Sequence, residues 1–311
     1  MEIVLVLGYP AAGKTTFTAE HFGTHVRVNR DLEGGSLDAL VPRVREAVTA
    51  GSSVVLDNTY ATRDSRRAVL DLGRDLQVPV RCVWLDTSIE DAQVNAITRM
   101  IDRHGRFLMP EEIKAAGKKD PNLFGPAVLF RHRKTFEPPT AAEGFSAVEK
   151  IAFGRRPAPA GYTGKALLLD YDGTLRRTLS GDKYPRTPDD VEVLPGRRDV
   201  LARYQSQGFR LLGVSNQGDV ARGKLTADDA RRCFERTNQL LGLDIEIAFC
   251  PHDPAPIGCY CRKPMPGLGL AYIERYKLDR AQTLMVGDMT TDRTFASRVG
   301  VRYIDQSAFF G

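Results

Sequence analysis

The sequence predicts two α/β domains in tandem. Two stretches open alike, with an apolar strand, a loop and a helix: Ile3–Leu7 begins the first and Ala166–Leu169 the second. Strand and helix patterns alternate after each opening, which favours a parallel sheet with helices on both faces. Residues 154–164 between them are rich in glycine, proline and alanine, as linkers are. We therefore predict domains at 1–153 and 165–311.

Hydrophobic periodicity places the individual elements. In the first domain it predicts strands at 3–7, 26–28, 54–56 and 80–85 and helices at 14–22, 38–50, 63–76 and 89–103. In the second it predicts strands at 166–169, 211–214, 245–249, 283–286 and 301–304 and helices at 197–207, 226–241, 267–276 and 291–299.

Composition is that of a globular protein: 42% of the 311 residues are hydrophobic and 27% are charged. No apolar run approaches the roughly 18 residues of a membrane span, and the opening strand lacks the features of a signal peptide. We therefore expect a cytoplasmic protein with no membrane partner. The net charge of +5 suits phosphate-rich substrates, but many proteins that bind no nucleic acid carry a similar charge. The oligomeric state stays open, a homo-oligomer included.

The segment from Gly8 to Thr15 matches the pattern G-x-x-x-x-G-K-[ST] between a strand and a helix. Backbone N–H groups of such a loop cradle the phosphates of a nucleoside triphosphate, Lys14 reaches the β- and γ-phosphates, and Thr15 binds Mg²⁺. Gly13 and Thr16 complete the predicted nucleotide site. ATP or another nucleoside triphosphate, with Mg²⁺, is therefore the expected cofactor.

Two aspartates follow strands of this predicted sheet. Asp31 comes after the second strand and Asp57 ends the third, and ligands bind at the carboxyl ends of parallel strands. We predict that Asp31 accepts the proton of an attacking hydroxyl and that Asp57 supports Mg²⁺. The alternative for Asp31 is a helix N-cap, a position that favours aspartate.

Three arginines lie on the fourth predicted helix and the turn after it. In a mobile lid they would stabilise charge on the transferred phosphoryl group, with Arg103 as a catalytic residue and Arg99 and Arg106 as nucleotide ligands. The alternative is a solvated basic helix face.

The motifs GYPAAGKTT, VNRD and LDNT, with Arg66 and Arg67 after the last, resemble the 5′-hydroxyl polynucleotide kinases. The resemblance is strongest to the phage type, in which the kinase also precedes a phosphatase. It implies that Asp31 is the general base toward a 5′-hydroxyl. One position departs from the family, because Gly34 stands where an arginine holds the phosphate of the acceptor. Acceptor binding must then differ, or come from Arg30 or another basic residue.

Asp170 and Asp172 end the first strand of the second predicted domain. Carboxylates at this spacing can share Mg²⁺ through one side chain and one backbone carbonyl, while Asp170 attacks phosphorus and Asp172 protonates the leaving oxygen. Phosphate and Mg²⁺ ligands are predicted further along: Ser215, Lys263, Asp288 and Asp292.

Together these motifs resemble the haloacid-dehalogenase (HAD) superfamily over roughly 166–305. The resemblance implies a Rossmann-like fold with Asp170 as nucleophile and Asp172 as acid and base. It also implies that Ser215 and Lys263 bind phosphate and that Asp288 binds Mg²⁺ with support from the aspartate four residues later.

Three cysteines and one histidine crowd a short segment: Cys250, His252, Cys259 and Cys261. Such a set suits tetrahedral Zn²⁺, and a closed four-ligand site would staple the loop beside Lys263. The alternative is buried cysteines with a surface histidine. The segment resembles the heptose-bisphosphate and histidinol-phosphate phosphatases, down to CRKPMPG, whereas SGDKYPRTPDDVEVLPG resembles the phosphatase of animal end-healing enzymes, which lacks a zinc loop.

The leading functional hypothesis is the healing of DNA or RNA ends, with phosphorylation of 5′-hydroxyls and removal of 3′-phosphates. The alternative is a kinase and a phosphatase that act on a small molecule, a sugar or a nucleoside. A non-catalytic nucleotide-binding scaffold is weakened by the chemical residues kept in both domains. The choice between DNA and RNA, and the strandedness of the substrate, stay open.

Overall fold

The computed structural model describes residues 1–155 and 159–311, so residues 156–158 of the predicted linker lie outside the described residues. The chain divides into two compact units, Met1–Ala96 with Ala116–Arg155 and Ile97–Ala115 with Arg156–Gly311. Residues 97–115, which we predicted within the first domain, thus group with the second unit. In the part of the chain that the structure describes, no helix has both the length and the apolar character to cross a bilayer.

The first unit is built on a parallel sheet of five strands in the order β2-β3-β1-β4-β5. The strands are β1 (Ile3–Leu7), β2 (Val26–Val28), β3 (Val54–Asp57), β4 (Val80–Asp86) and β5 (Ala147–Ala152). The helices in this part of the chain are α1 (Lys14–His21), α2 (Arg30–Glu33), α3 (Val41–Thr49), α4 (Arg63–Asp75), α5 (Ile89–His104), α6 (Pro110–Ala116) and α7 (Pro126–Thr135).

Strand β1 lies at the centre of this sheet and is buried on both faces. Ile3 and Leu5 join one apolar cluster, whereas Val4 and Val6 join another on the opposite face. A strand that is covered by helices on both faces buries every side chain, so its sequence is a continuous apolar run. This is why IVLVL was recognisable as a strand in the sequence.

The second unit holds a parallel sheet in the order β10-β9-β6-β11-β12 and a separate antiparallel pair, β7 with β8. The strands are β6 (Gly164–Leu169), β7 (Arg176–Thr178), β8 (Val191–Val193), β9 (Phe209–Asn216), β10 (Glu246–Cys250), β11 (Leu278–Gly287) and β12 (Arg302–Asp305). The helices that follow are α8 (Arg197–Ser206), α9 (Gly218–Ala221), α10 (Ala227–Leu241), α11 (Gly267–Tyr276), α12 (Thr290–Val299) and α13 (Gln306–Phe310).

The predicted fold class is confirmed: both units are α/β with parallel sheets, and each predicted strand has a counterpart within a few residues. Strand β5 was not predicted because its AVEKIA sequence lies largely exposed at a sheet edge, where no apolar pattern is required. The three-residue strands β7 and β8 are too short to show a period.

Candidate active sites

The phosphate loop connects β1 to α1 and depends on two glycines. Gly8 and Gly13 have φ angles of 146° and 90°, in the region that favours glycine. A Cβ on Gly8 would lie 2.9 Å from the backbone oxygen of Leu85, so a larger residue would collide with β4. The ammonium of Lys14 donates to the carbonyls of Gly8 (3.2 Å) and Tyr9 (2.7 Å), which keeps it over the loop.

Asp57 lies beside this loop, at the end of β3, and is 2% exposed. The hydroxyl of Thr15 donates to its Oδ2 at 3.0 Å, so the two residues predicted to serve Mg²⁺ are adjacent. Arg27 donates to both carboxylate oxygens (3.1 and 2.7 Å), and Asn29 donates to Oδ1 at 2.8 Å. These donors compensate the burial of the charge and fix the carboxylate. Thr16 follows on α1 and is exposed.

Asp31 lies in the first turn of α2 with an exposed side chain. The alternative that Asp31 is the N-cap is wrong, because Asn29 caps the helix and accepts from the backbone N–H of Asp31 at 2.8 Å. Gly34 closes the helix as its C-cap, with a φ of 78°. The guanidinium of Arg30 lies 3.7 Å from the carboxylate of Asp31.

His132 on α7 packs against the phosphate loop, with its ring 4.6 Å from that of Tyr9. Burial, helped by the positive charge of Lys14, lowers the pKa of His132 to about 4. The imidazole is therefore neutral at physiological pH. Sequence reasoning missed it, because α7 was not predicted.

The three arginines of the predicted lid lie within residues 97–115 and so group with the second unit. Arg99 and Arg103 are on α5, and Arg106 forms an ion pair with Glu112. Their role as a lid stays a prediction. Arg66, by contrast, is fully buried and donates to Glu143 at 2.7 Å, so it supports the fold of the first unit.

The second site lies at the carboxyl ends of three neighbouring strands. Asp170 follows β6, Ser215 is the second-to-last residue of β9, and Asp288 follows β11. Because β9 and β11 flank β6, these side chains meet at one edge of the sheet.

Lys263 is 4% exposed and forms the centre of this site. Its ammonium lies 2.5 Å from Asp170 and 2.7 Å from Asp292. Asn216 holds the backbone of Lys263 by two reciprocal hydrogen bonds of 2.9 and 3.0 Å. Asn216 therefore positions Lys263, a role that the sequence analysis, which singled out only the preceding Ser215, did not predict.

Burial and neighbouring charges have opposing effects on the pKa values of Asp170 and Lys263. Burial raises the pKa of Asp170 to about 7, with Lys263 acting against it and Asp292 adding to it. Burial also disfavours the ammonium of Lys263, but the two carboxylates outweigh this effect, and its pKa lies above the ordinary value. The lysine is therefore charged and can neutralise a phosphoryl oxygen.

Oxygen ligands suited to Mg²⁺ converge beside the lysine. The carboxylates of Asp170, Asp288 and Asp292 have oxygens within 4.8 Å of one another. The adjacent glycines leave room for them: a Cβ on Gly173 would lie 2.5 Å from Asp288, and one on Gly287 would lie 2.5 Å from Asp292. The carboxylate of Asp172 does not belong to this cluster and accepts hydrogen bonds from Arg176 and Gln217 instead.

The cysteine and histidine side chains of the second unit also converge. The Sγ atom of Cys250 lies 3.7 Å from that of Cys259 and 3.3 Å from that of Cys261. Nδ1 of His252 lies 3.4 Å from Cys250 and 3.1 Å from Cys261. With metal–sulfur bonds of about 2.3 Å, a tetrahedral site has ligand atoms about 3.7 Å apart, so this geometry fits Zn²⁺.

Family models match both halves of the chain. The one described as an AAA domain matches residues 3–119, and the one described as HAD-hydrolase-like matches residues 260–304. A probable D-glycero-D-manno-heptose-1,7-bisphosphate 7-phosphatase of Thermoplasma volcanium is 36% identical over 140 residues, which cover 43% of this chain and 93% of that protein. The chain belongs to the HAD-like phosphatase family.

A second relative of this HAD-like phosphatase is the bifunctional polynucleotide phosphatase/kinase of Schizosaccharomyces pombe. It is 32% identical over 155 residues, which cover 49% of this chain and 34% of the relative. A solved structure of the D,D-heptose 1,7-bisphosphate phosphatase from B. bronchiseptica, complexed with magnesium and phosphate, is 30% identical with a TM-score of 0.41, over 45% of this chain and 78% of that one. The chain thus joins an AAA-type P-loop kinase domain to a HAD-like phosphatase domain.

Proposed function

We propose that this bifunctional enzyme heals nucleic-acid ends by phosphorylating 5′-hydroxyls and hydrolysing 3′-phosphates. The proposal rests on one observation: an AAA-type P-loop kinase domain and a HAD-like phosphatase domain occur in the same chain. A strand break with a 5′-hydroxyl and a 3′-phosphate needs both reactions before it can be sealed. The fission yeast relative, which is named for both activities, supports this choice of substrate.

In the kinase reaction, the loop around Lys14 would hold the phosphates of the nucleotide. Thr15 and Asp57, 3.0 Å apart, would hold Mg²⁺, which shields the charge of the phosphates. Asp31 would take the proton of the attacking 5′-hydroxyl. Its exposure supports this role, because a polynucleotide end can reach it. Arg99, Arg103 and Arg106 stay the predicted lid.

In the phosphatase reaction, Asp170 would attack phosphorus and form an aspartyl-phosphate while Asp172 protonates the leaving oxygen. Asp172 would then take a proton from the water that hydrolyses this intermediate. Ser215 and Lys263 would hold the phosphoryl oxygens. Mg²⁺, held by Asp170, Asp288 and the nearby Asp292, would neutralise the phosphate so that a carboxylate can approach it.

The four-ligand cluster would bind Zn²⁺ in a structural role. Its four protein ligands leave no position for a reacting water, and Cys261 lies two residues before Lys263. The metal would thereby hold the segment that carries the phosphate-binding lysine.

A second candidate is a pair of reactions on a small phosphorylated sugar. It is favoured by the similarity to the Thermoplasma heptose-bisphosphate phosphatase. The two proposals differ in their dependence on salt, because binding to a polynucleotide releases counterions and weakens steeply as salt rises.

One experiment separates them. The protein is incubated with Mg²⁺ and ATP together with an oligonucleotide that bears a 5′-hydroxyl and a 3′-phosphate, and in parallel with a heptose bisphosphate. End healing predicts both end conversions on the oligonucleotide, with rates that fall between 50 and 200 mM salt. Turnover of the sugar bisphosphate alone would replace the first proposal by the second.

A further inference from the structure

Arg176 is a buried charge next to the phosphatase centre that no predicted motif includes. It begins β7, four residues after Asp172, and is 1% exposed. Its Nε donates to Oδ1 of Asp172 at 2.8 Å. A buried guanidinium requires a counter-charge, because burying the charge without one is strongly destabilising. Asp172 provides that charge.

The rest of the guanidinium is fixed by the second unit. One terminal nitrogen donates to the hydroxyl of Thr237 at 3.1 Å, and that hydroxyl donates to the carbonyl of Cys233 at 2.8 Å. The ring of Phe234 lies 4.5 Å from the guanidinium carbon, and the ring of Tyr171 lies 5.4 Å from it. These contacts hold the guanidinium in place, and its Nε in turn holds Oδ1 of Asp172.

The other oxygen of Asp172 lies toward the phosphate-binding side. Its Oδ2 accepts from the amide nitrogen of Gln217 at 2.9 Å. The same nitrogen donates to the hydroxyl of Ser215 at 3.0 Å. Asp172 is thus held from two sides, with Oδ1 anchored on Arg176 and Oδ2 near the predicted phosphate ligand.

We propose that Arg176 is a positioning residue that aims Oδ2 of Asp172 at the leaving oxygen of the substrate. This inference rests on the proposed phosphatase chemistry, not on the nature of the substrate. In the first step the Asp170–phosphorus bond forms, the bond to the leaving oxygen breaks, and Asp172 gives its proton to that oxygen. In the second step a water oxygen bonds to phosphorus, Asp172 accepts its proton, and Asp170 is released.

A positioning role makes the loss of Arg176 depend on the leaving group. An alkoxide must be protonated as it leaves, whereas p-nitrophenolate is stable enough to leave without an acid. Hydrolysis of the aspartyl-phosphate needs Asp172 as a base for either substrate. Loss of Arg176 should therefore impair three observable quantities unequally: the first turnover of an alkyl ester, the first turnover of an aryl ester and the decay of the intermediate.

The test compares wild type with Arg176→Met, which keeps a flexible unbranched stem but removes the guanidinium and its charge. The control is Arg177→Met, the same change at the exposed neighbour that pairs with Glu192.

Glycerol 2-phosphate and p-nitrophenyl phosphate are the substrates. For Arg176→Met we expect kcat on glycerol phosphate to fall about 10²-fold or more with KM unchanged, because the guanidinium contacts Asp172 and Thr237 and not the predicted phosphate ligands. The first-turnover burst of p-nitrophenol should stay within about threefold, and the aspartyl-phosphate should accumulate. The control should match wild type.

Equal losses in the alkyl and aryl first turnovers, or no loss in either, would overturn the proposal. If Arg176→Met does not fold by circular dichroism, Arg176→Lys decides, since it keeps the buried charge. It should show the same preference for the aryl ester with a smaller loss, and uniform behaviour toward both esters would again overturn the proposal. Failure of the end-healing proposal is seen separately, as a wild-type enzyme that cleaves these esters but no 3′-phosphate of an oligonucleotide.

Discussion

The two sites differ in how much of their geometry the protein itself fixes. In the first unit the predicted base Asp31 is exposed, and so are Thr15 and Thr16 in the first turn of α1. Of the two predicted catalytic and metal-binding carboxylates in this unit, only Asp57 is buried. In the second unit Asp170, Ser215 and Lys263 are all buried and bonded to one another or to the groups that hold them.

The difference follows from the chemistry proposed for each site. Phosphoryl transfer from a nucleotide is mostly positioning and charge stabilisation, much of which the nucleotide and its metal supply when they bind. A carboxylate nucleophile must instead be brought against a phosphate, and besides a metal this approach needs a positive charge that the protein itself supplies, here the ammonium of Lys263 beside Asp170. A substitution in the second site should therefore reduce phosphatase turnover more than a comparable substitution in the first site reduces kinase turnover.

The largest effect is expected for Asp170→Asn, which keeps the size of the side chain but removes the nucleophile. Phosphatase turnover should fall at least about 10⁴-fold, because the aspartyl-phosphate cannot form. Phosphate release from p-nitrophenyl phosphate and 5′ phosphorylation of an oligonucleotide are measured on the same preparation. The kinase rate should be unchanged, and a parallel loss of both activities would mean that the two reactions share one site.

A smaller loss, about 10²–10⁴-fold in the kinase, is expected for Asp31→Ala, because general-base catalysis contributes that much. Lys14→Ala serves as the reference for loss of the phosphate cradle, and Glu33→Ala as the control on the same short helix. Phosphate transfer from labelled ATP to a 5′-hydroxyl is the measurement. Near-normal turnover of Asp31→Ala would remove its assigned role.

The metal cluster offers a test that affects one unit only. Protein purified without added metal should contain one zinc per chain by elemental analysis, and its absence would contradict the proposed site. Cys259→Ser should lower the thermal midpoint of the second unit, since it removes a ligand of a closed site. Cys233→Ser, at a buried cysteine outside the cluster, is the matched control. The fluorescence of Trp84, the one tryptophan of the chain, reports on the first unit and should not change.

The smallest effect concerns acid stability of the first unit. The pKa of His132 is lowered from 6.5 to about 4 in the folded state. Between these two pH values the imidazole is therefore protonated in the unfolded state but mostly neutral in the folded state. The stability that this histidine contributes is complete above pH 6.5 and is lost as the pH falls toward 4. Between pH 7 and 5, wild type should lose about 2 kcal/mol more than His132→Phe, by urea unfolding followed at Trp84. His21→Phe, at an exposed position, is the control, and equal losses in wild type and His132→Phe would contradict the assignment.

The sequence alone determined the fold class, because fully buried parallel strands such as IVLVL and ALLL leave an apolar signature and are followed at once by glycine-rich or acidic motifs. It also determined which residue types stand at the strand ends. The carboxylates, Lys263 and the cysteine cluster were found from spacing, since the chemistry needs those groups wherever the chain brings them together.

Tertiary structure decided which neighbours hold those groups. Arg27 and Arg176 look like many other arginines in the sequence, and only packing shows that the first donates to Asp57 and that the second is buried against Asp172. Tertiary structure also placed residues 97–115 with the second unit, although their local pattern continued that of the first. In all these cases side-chain periodicity records only burial within an element. The partner of a long charged side chain, like the unit against which a segment packs, depends on how distant elements are arranged in space.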